Sequence, residues 1–134
     1  MPFVLDASVA ACWAFAHERH PVAEMAASRV RSDEAWAPAL LWFELRNILI
    51  VGERRKRIAE VDTRRFLRSL DQMRVTVDRS PDENRALHLA RLHGLTFYDA
   101  AYLELAQREA VPLATLDRDL AQAARKEGIA VLGD

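Results

Sequence analysis

Four acidic residues stand in surroundings that do not favour them. Asp6 directly follows Phe3-Val4-Leu5. Glu44 is embedded in Leu40-Leu41-Trp42-Phe43-Glu44-Leu45, with Ile48 one turn further on. Asp99 is set among Phe97, Tyr98, Ala100, Ala101 and Tyr102, and Asp117 comes two residues after Thr115. A carboxylate on an apolar stripe is costly unless it is paired or holds a cation. Helix capping is the ordinary alternative for three of them. Asp6 and Asp117 could each cap a following helix, and Thr96 to Asp99 has the form of a capping box with Asp in place of Glu. Glu44 lies too deep in its helix to cap anything; a side chain snorkelling from the edge of the stripe is the alternative there. Asn47, three residues on, shares its face and could orient it. Together these are hard oxygen donors with no His or Cys among them, which suits Mg²⁺ or Mn²⁺ rather than zinc. Such an ion activates water and neutralises charge at a phosphodiester under attack. His17, His20, His88 and His93 pair with no plausible nucleophile, so Ser–His or Cys–His chemistry has little support.

The elements that must position these acids alternate along the chain. Phe3–Leu5, Ala35–Ala37, Val75–Val77, Pro112–Thr115 and Ile129–Leu132 are short apolar runs that read as strands. Helical patterns cover Ser8–Ala16, Pro21–Arg31, Ala39–Gly52, Val61–Met73, Pro81–His93, Tyr98–Glu109 and Asp117–Lys126. Pro38 and Pro81 suit first helical turns, and Gly94 suits a helix stop. Strands that are apolar throughout, alternating with helices, predict a parallel sheet covered on both faces, an α/β fold. In such sheets, sites form at the carboxyl ends of the strands. The sequence puts Asp6 and Asp117 at that edge, and Asp99 could face it.

Composition narrows the setting. At 134 residues and 15.2 kDa, one domain spanning 1–134 is the default. With 51% hydrophobic and 29% charged residues, disorder is excluded. Cys12 is the lone cysteine, so neither a disulfide framework nor a Cys-based zinc site can form. No apolar stretch is long enough to span a membrane, and Met1 to Asp6 lacks the basic start of a signal peptide. A cytoplasmic protein is expected. The net charge of −1 conceals a local basic excess. Arg54, Arg55, Lys56, Arg57, Arg64, Arg65 and Arg68 face only Glu53, Glu60 and Asp62 in that stretch. It is either a solvated helix end and loop or a phosphate-binding rim. Trp13, Phe15, Trp42 and Phe43 are either core residues or part of a surface that a partner covers.

Four segments, in order, resemble the PIN-domain ribonucleases, and more closely the VapC-type toxins of VapBC toxin–antitoxin modules. They are Val4-Leu5-Asp6-Ala7-Ser8, Pro38 through Asn47, Gly94 through Ala106, and Leu113-Ala114-Thr115-Leu116-Asp117. The resemblance covers essentially the whole chain. It implies a three-layer α/β/α sandwich with a five-stranded parallel sheet, Mg²⁺- or Mn²⁺-dependent cleavage of RNA, and a homodimer held by a cognate VapB-type antitoxin. It implies that Asp6, Glu44, Asp99 and Asp117 are the metal-binding acids. Ser8 and Thr115 match positions that line the site, and either could equally be a capping hydroxyl. Asp119 is a possible further acid or a plain first-turn helix acid. The expected reaction is hydrolysis of phosphodiester bonds in single-stranded or looped RNA, whose phosphates are reachable without melting a duplex. The arginine-rich stretch would contact the backbone and add affinity without sequence choice. Two alternatives stay open. A phosphotransfer or phosphatase domain needs a nucleophilic Asp with a nearby Lys, and neither Lys56 nor Lys126 follows a strand suitably. A non-catalytic PIN-like binding module of RNA or protein usually lacks some of the acids, whereas all four are present here.

Overall fold

The computed structural model describes residues Met1–Asp134. Along the chain run β1 (Phe3–Leu5), α1 (Ala7–Ala14), α2 (Pro21–Arg29), β2 (Ala35–Pro38), α3 (Leu40–Arg54), α4 (Glu60–Asp71), β3 (Val75–Asp78), α5 (Glu83–His93), α6 (Phe97–Glu109), β4 (Leu113–Ala114) and α7 (Arg118–Lys126). All strand pairs are parallel, in the order β3-β2-β1-β4. The sheet therefore has four strands, not five. The last apolar run is reduced to a single bridge, Leu113 to Val131. The Leu113 N–H donates to the Ala130 carbonyl at 2.9 Å, and the Leu132 N–H donates to the Leu113 carbonyl at 2.9 Å. Gly128 at φ +75 and Gly133 at φ +97 turn the chain on either side, and β4 offers only two residues to pair with.

Two prolines also sit differently from the sequence expectation. Pro38 ends β2, paired with Asp78, rather than opening α3. It lies beyond the last β1–β2 pair, so its missing N–H removes no ladder bond on that side. Pro81 precedes α5, whose N-cap is Asp82, the side chain accepting from the Arg85 N–H at 3.1 Å. Gly94 does stop α5, in the left-handed conformation at φ +64.

The strand order explains where a site can form. From β1 through β2 to β3 the chain moves one way across the sheet, then returns past β1 to β4. Right-handed crossovers put the connecting helices of the two journeys on opposite faces. In agreement, α1 packs with α2, α3 and α4, while α6 packs with α5 and α7 and against β1, β2 and β4. Helices thus flank the sheet on both sides. The direction reverses between β1 and β4, and a crevice opens at the carboxyl ends of that strand pair. All of β1 is buried, as its unbroken apolar run requires. Helix α6 is buried without interruption from Ala100 to Ala106, so it lacks the one-sided stripe of a surface helix.

Candidate active site

Asp6 emerges from β1 into the crevice and is buried at 5% exposure. It occupies the N-cap position of α1, yet its side chain makes no capping bond. Instead the hydroxyls of Ser8 and Thr115 both donate to its Oδ2, each at 2.7 Å. The same hydroxyls accept backbone N–H groups: Ser8 Oγ from Leu116 at 3.0 Å, and Thr115 Oγ1 from Asp117 at 3.0 Å. Each hydroxyl therefore holds the carboxylate and also stitches β1 to the end of β4. Burial raises the Asp6 pKa above its ordinary value against the lowering pull of these hydroxyls, and the Asp117 charge raises it further.

Asp117 is the N-cap of α7, its Oδ1 accepting from the Leu120 N–H at 2.9 Å. The capping expectation thus holds for Asp117 and fails for Asp6. Asp99 lies in the first turn of α6, where the Thr96 hydroxyl accepts its N–H at 3.1 Å. No return bond from Asp99 to the Thr96 N–H completes a capping box, although the Thr96 hydroxyl exerts a lowering pull on the Asp99 carboxyl. Burial raises the Asp99 pKa, and the charges of Asp117, Asp6 and Asp119 add to the rise. Glu44 stands half-buried on α3. Its pKa is raised by burial first and by the charges of Asp6 and Asp99 next.

These mutual effects show that strands and helices distant in sequence bring the four acids into one electrostatic field. No Lys, Arg or His contacts any of them. No three of the chain's Asp, Glu, His or Cys residues are grouped closely enough to hold an ion by themselves. A hydrated ion such as Mg²⁺ keeps several waters and needs only one or two carboxylates directly, so it asks less of the protein than a closed site does. Hard oxygen donors, partly buried and without a counter-charge, are the donor set such a cation requires.

The other expected residues are placed unequally. Ser8 and Thr115 reach the site as described. Asp119 is exposed in the first turn of α7 and reaches Asp99 through its charge. Asn47 is exposed and makes no hydrogen bond to Glu44. Tyr102 of α6 does so, its hydroxyl donating to Glu44 Oε1 at 2.7 Å. In the sequence Tyr102 stands out only as an apolar neighbour of Asp99; the signal that points further is a polar tip one helical turn from that acid.

The basic residues are not brought to the acids. Arg54, Arg55, Lys56 and Arg57 lie at the end of α3 and in the turn after it, and Arg64, Arg65 and Arg68 lie on α4, all exposed. Arg54 is roughly 15 Å along the helix from Glu44. Arg57 is engaged by Glu18 and lies over the Phe15 ring at 4.8 Å, while Arg65 pairs with Asp62 at 3.3 Å. The aromatics divide as well. Phe15 is buried, and the Trp13 indole N–H donates to the Ala23 carbonyl at 2.8 Å. Trp42 and Phe43 remain 53% and 69% exposed, packed edge to face. No helix is long and apolar enough to cross a membrane.

Known proteins share this fold. The PIN domain family matches residues 3–126. Ribonuclease VapC3 of Pyrobaculum aerophilum is 35% identical over 125 residues, which cover 91% of this chain and 94% of the relative. The crystal structure of PAE2754 from Pyrobaculum aerophilum superposes with a TM-score of 0.75 at 22% identity, over 98% of this chain and 90% of that one. VapC20 of Mycobacterium tuberculosis, described as a sarcin-ricin loop cleaving toxin, superposes with a TM-score of 0.67 at 16% identity, over 90% of this chain and 94% of that one. The two structures establish likeness of fold.

Proposed function

The chain belongs to the PIN domain family, and on that premise we propose that it is a metal-dependent endoribonuclease, the toxin of a toxin–antitoxin module, acting as one catalytic domain over residues 1–134. The observation that carries this reading is geometric: Thr115 links the Asp6 carboxylate to the Asp117 backbone, Tyr102 links Glu44 to the helix that carries Asp99, and no protein cation pairs with any of the four acids. The name of the ribonuclease relative supports the choice of RNA. These four acids are proposed to hold Mg²⁺ or Mn²⁺, one or two directly and the others through water, and the ion would supply an activated water and charge neutralisation at the scissile phosphate.

The chain's own residues do the rest. Ser8 and Thr115 fix Asp6, and Asp117 is fixed by capping α7. Asp119 adds outer negative charge at the rim. The substrate is a phosphodiester in single-stranded or looped RNA, where an unpaired backbone can enter a crevice. Of the basic stretch, Arg54, Arg55, Lys56, Arg64 and Arg68 contact its phosphates away from the cut, giving affinity without sequence choice, whereas Arg57 and Arg65 are held by Glu18 and Asp62. The exposed Trp42 and Phe43 are the proposed apolar surface for a homodimer seam or for a VapB-type antitoxin. The setting is cytoplasmic, where the Cys12 thiol stays reduced.

The test is cleavage of an RNA pool by purified protein with Mn²⁺, with EDTA, and with Mn²⁺ restored. Cleavage should stop with EDTA and return with the ion. Metal-independent cleavage, or wild-type cleavage by an Asp99→Asn protein cleared of contaminating nuclease, would overturn the reading.

A further inference from the structure

Tyr102 lies at the centre of the buried stretch of α6 and has no exposed surface, yet its phenol ends among the acids. A phenol O–H is a hydrogen-bond donor toward carboxylates. Its acceptor is Glu44 Oε1 at 2.7 Å, across 58 residues of sequence. Glu44 has no other hydrogen-bond partner among protein side chains. Unlike Asp6, which two hydroxyls grip, or Asp117, which its own helix holds, Glu44 sits on a long rotatable side chain in the second turn of α3. Fixing such a side chain costs conformational entropy that a single well-anchored donor can offset. The donor here is anchored, because the Tyr102 ring is packed on all sides in α6. The same helix carries Asp99 one turn towards its N-terminus. One rigid element therefore sets Asp99 through its backbone and Glu44 through a phenol.

We propose that Tyr102 is a positioning residue, holding the Glu44 carboxylate in the orientation in which it faces a hydrated divalent cation bound beside Asp6 and Asp99. This rests on reading the acid cluster as a metal site. Partners of this outer kind typically change metal affinity by about 10–100-fold when removed.

The experiment compares wild type, Tyr102→Phe, Glu44→Gln and the double variant. Mn²⁺ binding is read directly from the free-ion EPR signal, and RNA cleavage is read against Mn²⁺ concentration. Tyr102→Phe keeps the ring and removes one oxygen, so the melting temperature without metal should change little. The Mn²⁺ dissociation constant should rise about 10-fold or more. At saturating Mn²⁺, kcat should return to within a few-fold of wild type. In the Glu44→Gln background, removing the Tyr102 hydroxyl should add almost nothing, because its effect passes through that carboxylate. A Tyr102→Phe protein with unchanged Mn²⁺ affinity, whatever its melting temperature, would overturn the proposal by reducing the phenol to a packing group. So would a Tyr102→Phe effect that adds in full to that of Glu44→Gln. Failure of the wild type to bind Mn²⁺ at all would remove the metal-site reading and this proposal with it. Wild-type binding with an indifferent Tyr102→Phe removes the proposal alone.

Discussion

Helix α6 carries two acids in contrasting company. Asp99, in the first turn, belongs with Asp6, Glu44 and Asp117, and no cation of the chain touches any of them. Glu104, little more than one turn on, is 1% exposed and fully engaged. Arg108 donates to it from Nε at 2.7 Å and from Nη2 at 3.1 Å, and the Asp82 N–H donates to it at 3.2 Å. Arg108 also grips Asp78 at the end of β3, at 2.7 Å. Nearby, Glu127 takes His93 at 2.8 Å, Arg85 at 3.1 Å and Gln107 at 3.0 Å. These partners, the His93 hydrogen bond foremost, hold the Glu127 carboxyl below its usual range. In the crevice, burial and like charge push the carboxyls of Asp6, Glu44 and Asp99 upward instead. Arginine is thus supplied where an acid ties elements together and withheld where acids meet at the switch point of the sheet. An unneutralised cluster destabilises the fold by repulsion, a cost that the proposed divalent cation would offset.

The largest effect separating the two groups comes from neutralising a crevice acid. Asp99→Asn should lower RNA cleavage by about 100-fold or more, comparable to or beyond the loss of an outer-sphere partner, while leaving metal-free stability equal or improved. The sign follows from protonation. Asp99 has a native pKa above its ordinary 3.8, so the native state holds more protons than the unfolded one in the mildly acidic range. Metal-free wild type therefore loses stability as pH rises through that range, and the Asn variant is spared that part of the loss. Urea melts at several pH values should show the variant gaining on wild type between acid and neutral pH, with Mn²⁺ cancelling the advantage. A constant deficit for the variant at every pH would erase the distinction between crevice acids and structural acids.

Arg108→Ala tests the other group. It leaves Glu104 buried without its partner, which costs roughly 3 kcal/mol. For a chain of this size that is about 10 °C in melting temperature. Mn²⁺ affinity, measured well below the melt, should stay at the wild-type value. Unchanged stability with weakened Mn²⁺ binding would mean that the paired acids serve the site as well as the fold.

The sequence made the crevice acids legible because each stands in local contrast: an acid inside an apolar run needs a reason. The helix stop at Gly94 and the cap at Asp117 were equally local. What each side chain does was less legible, because partners distant in sequence decide it. Asp6 holds an N-cap position that its sequence announces, yet Thr115, 109 residues away, claims its carboxylate. Tyr102 and Glu44 meet only once α3 and α6 are folded, so no spacing rule joins them. Asn47 satisfied the local rule and contributes no such bond. The fifth strand failed for a related reason. The run Ile129–Leu132 has the composition of a strand, but a two-residue β4 and the turns at Gly128 and Gly133 leave room for one bridge. Pro38 shows the ambiguity at its simplest, since a strand end and a helix start accept the same missing N–H.

The smallest effect concerns charge of the opposite sign. Arg57 and Arg65 have acidic partners in Glu18 and Asp62, whereas Arg55, Arg64 and Arg68 have no ion-pair partner. If the basic stretch meets RNA phosphates, the unpaired side chains carry that interaction, because the paired ones must first give up a partner. Arg64→Ala with Arg68→Ala should weaken RNA binding a few-fold at low salt and leave kcat unchanged at saturating RNA. The slope of log affinity against log salt should become shallower by about 0.7 for each phosphate no longer neutralised. Arg57→Ala should leave that slope alone and instead lower stability slightly, by removing its interactions with Glu18 and the Phe15 ring. Binding isotherms at several salt concentrations decide the matter. Equal slopes for wild type and the Arg64/Arg68 pair would leave the stretch as a solvated helix surface. The crevice would then have to bind RNA without help from a cluster that begins roughly 15 Å along α3 from Glu44.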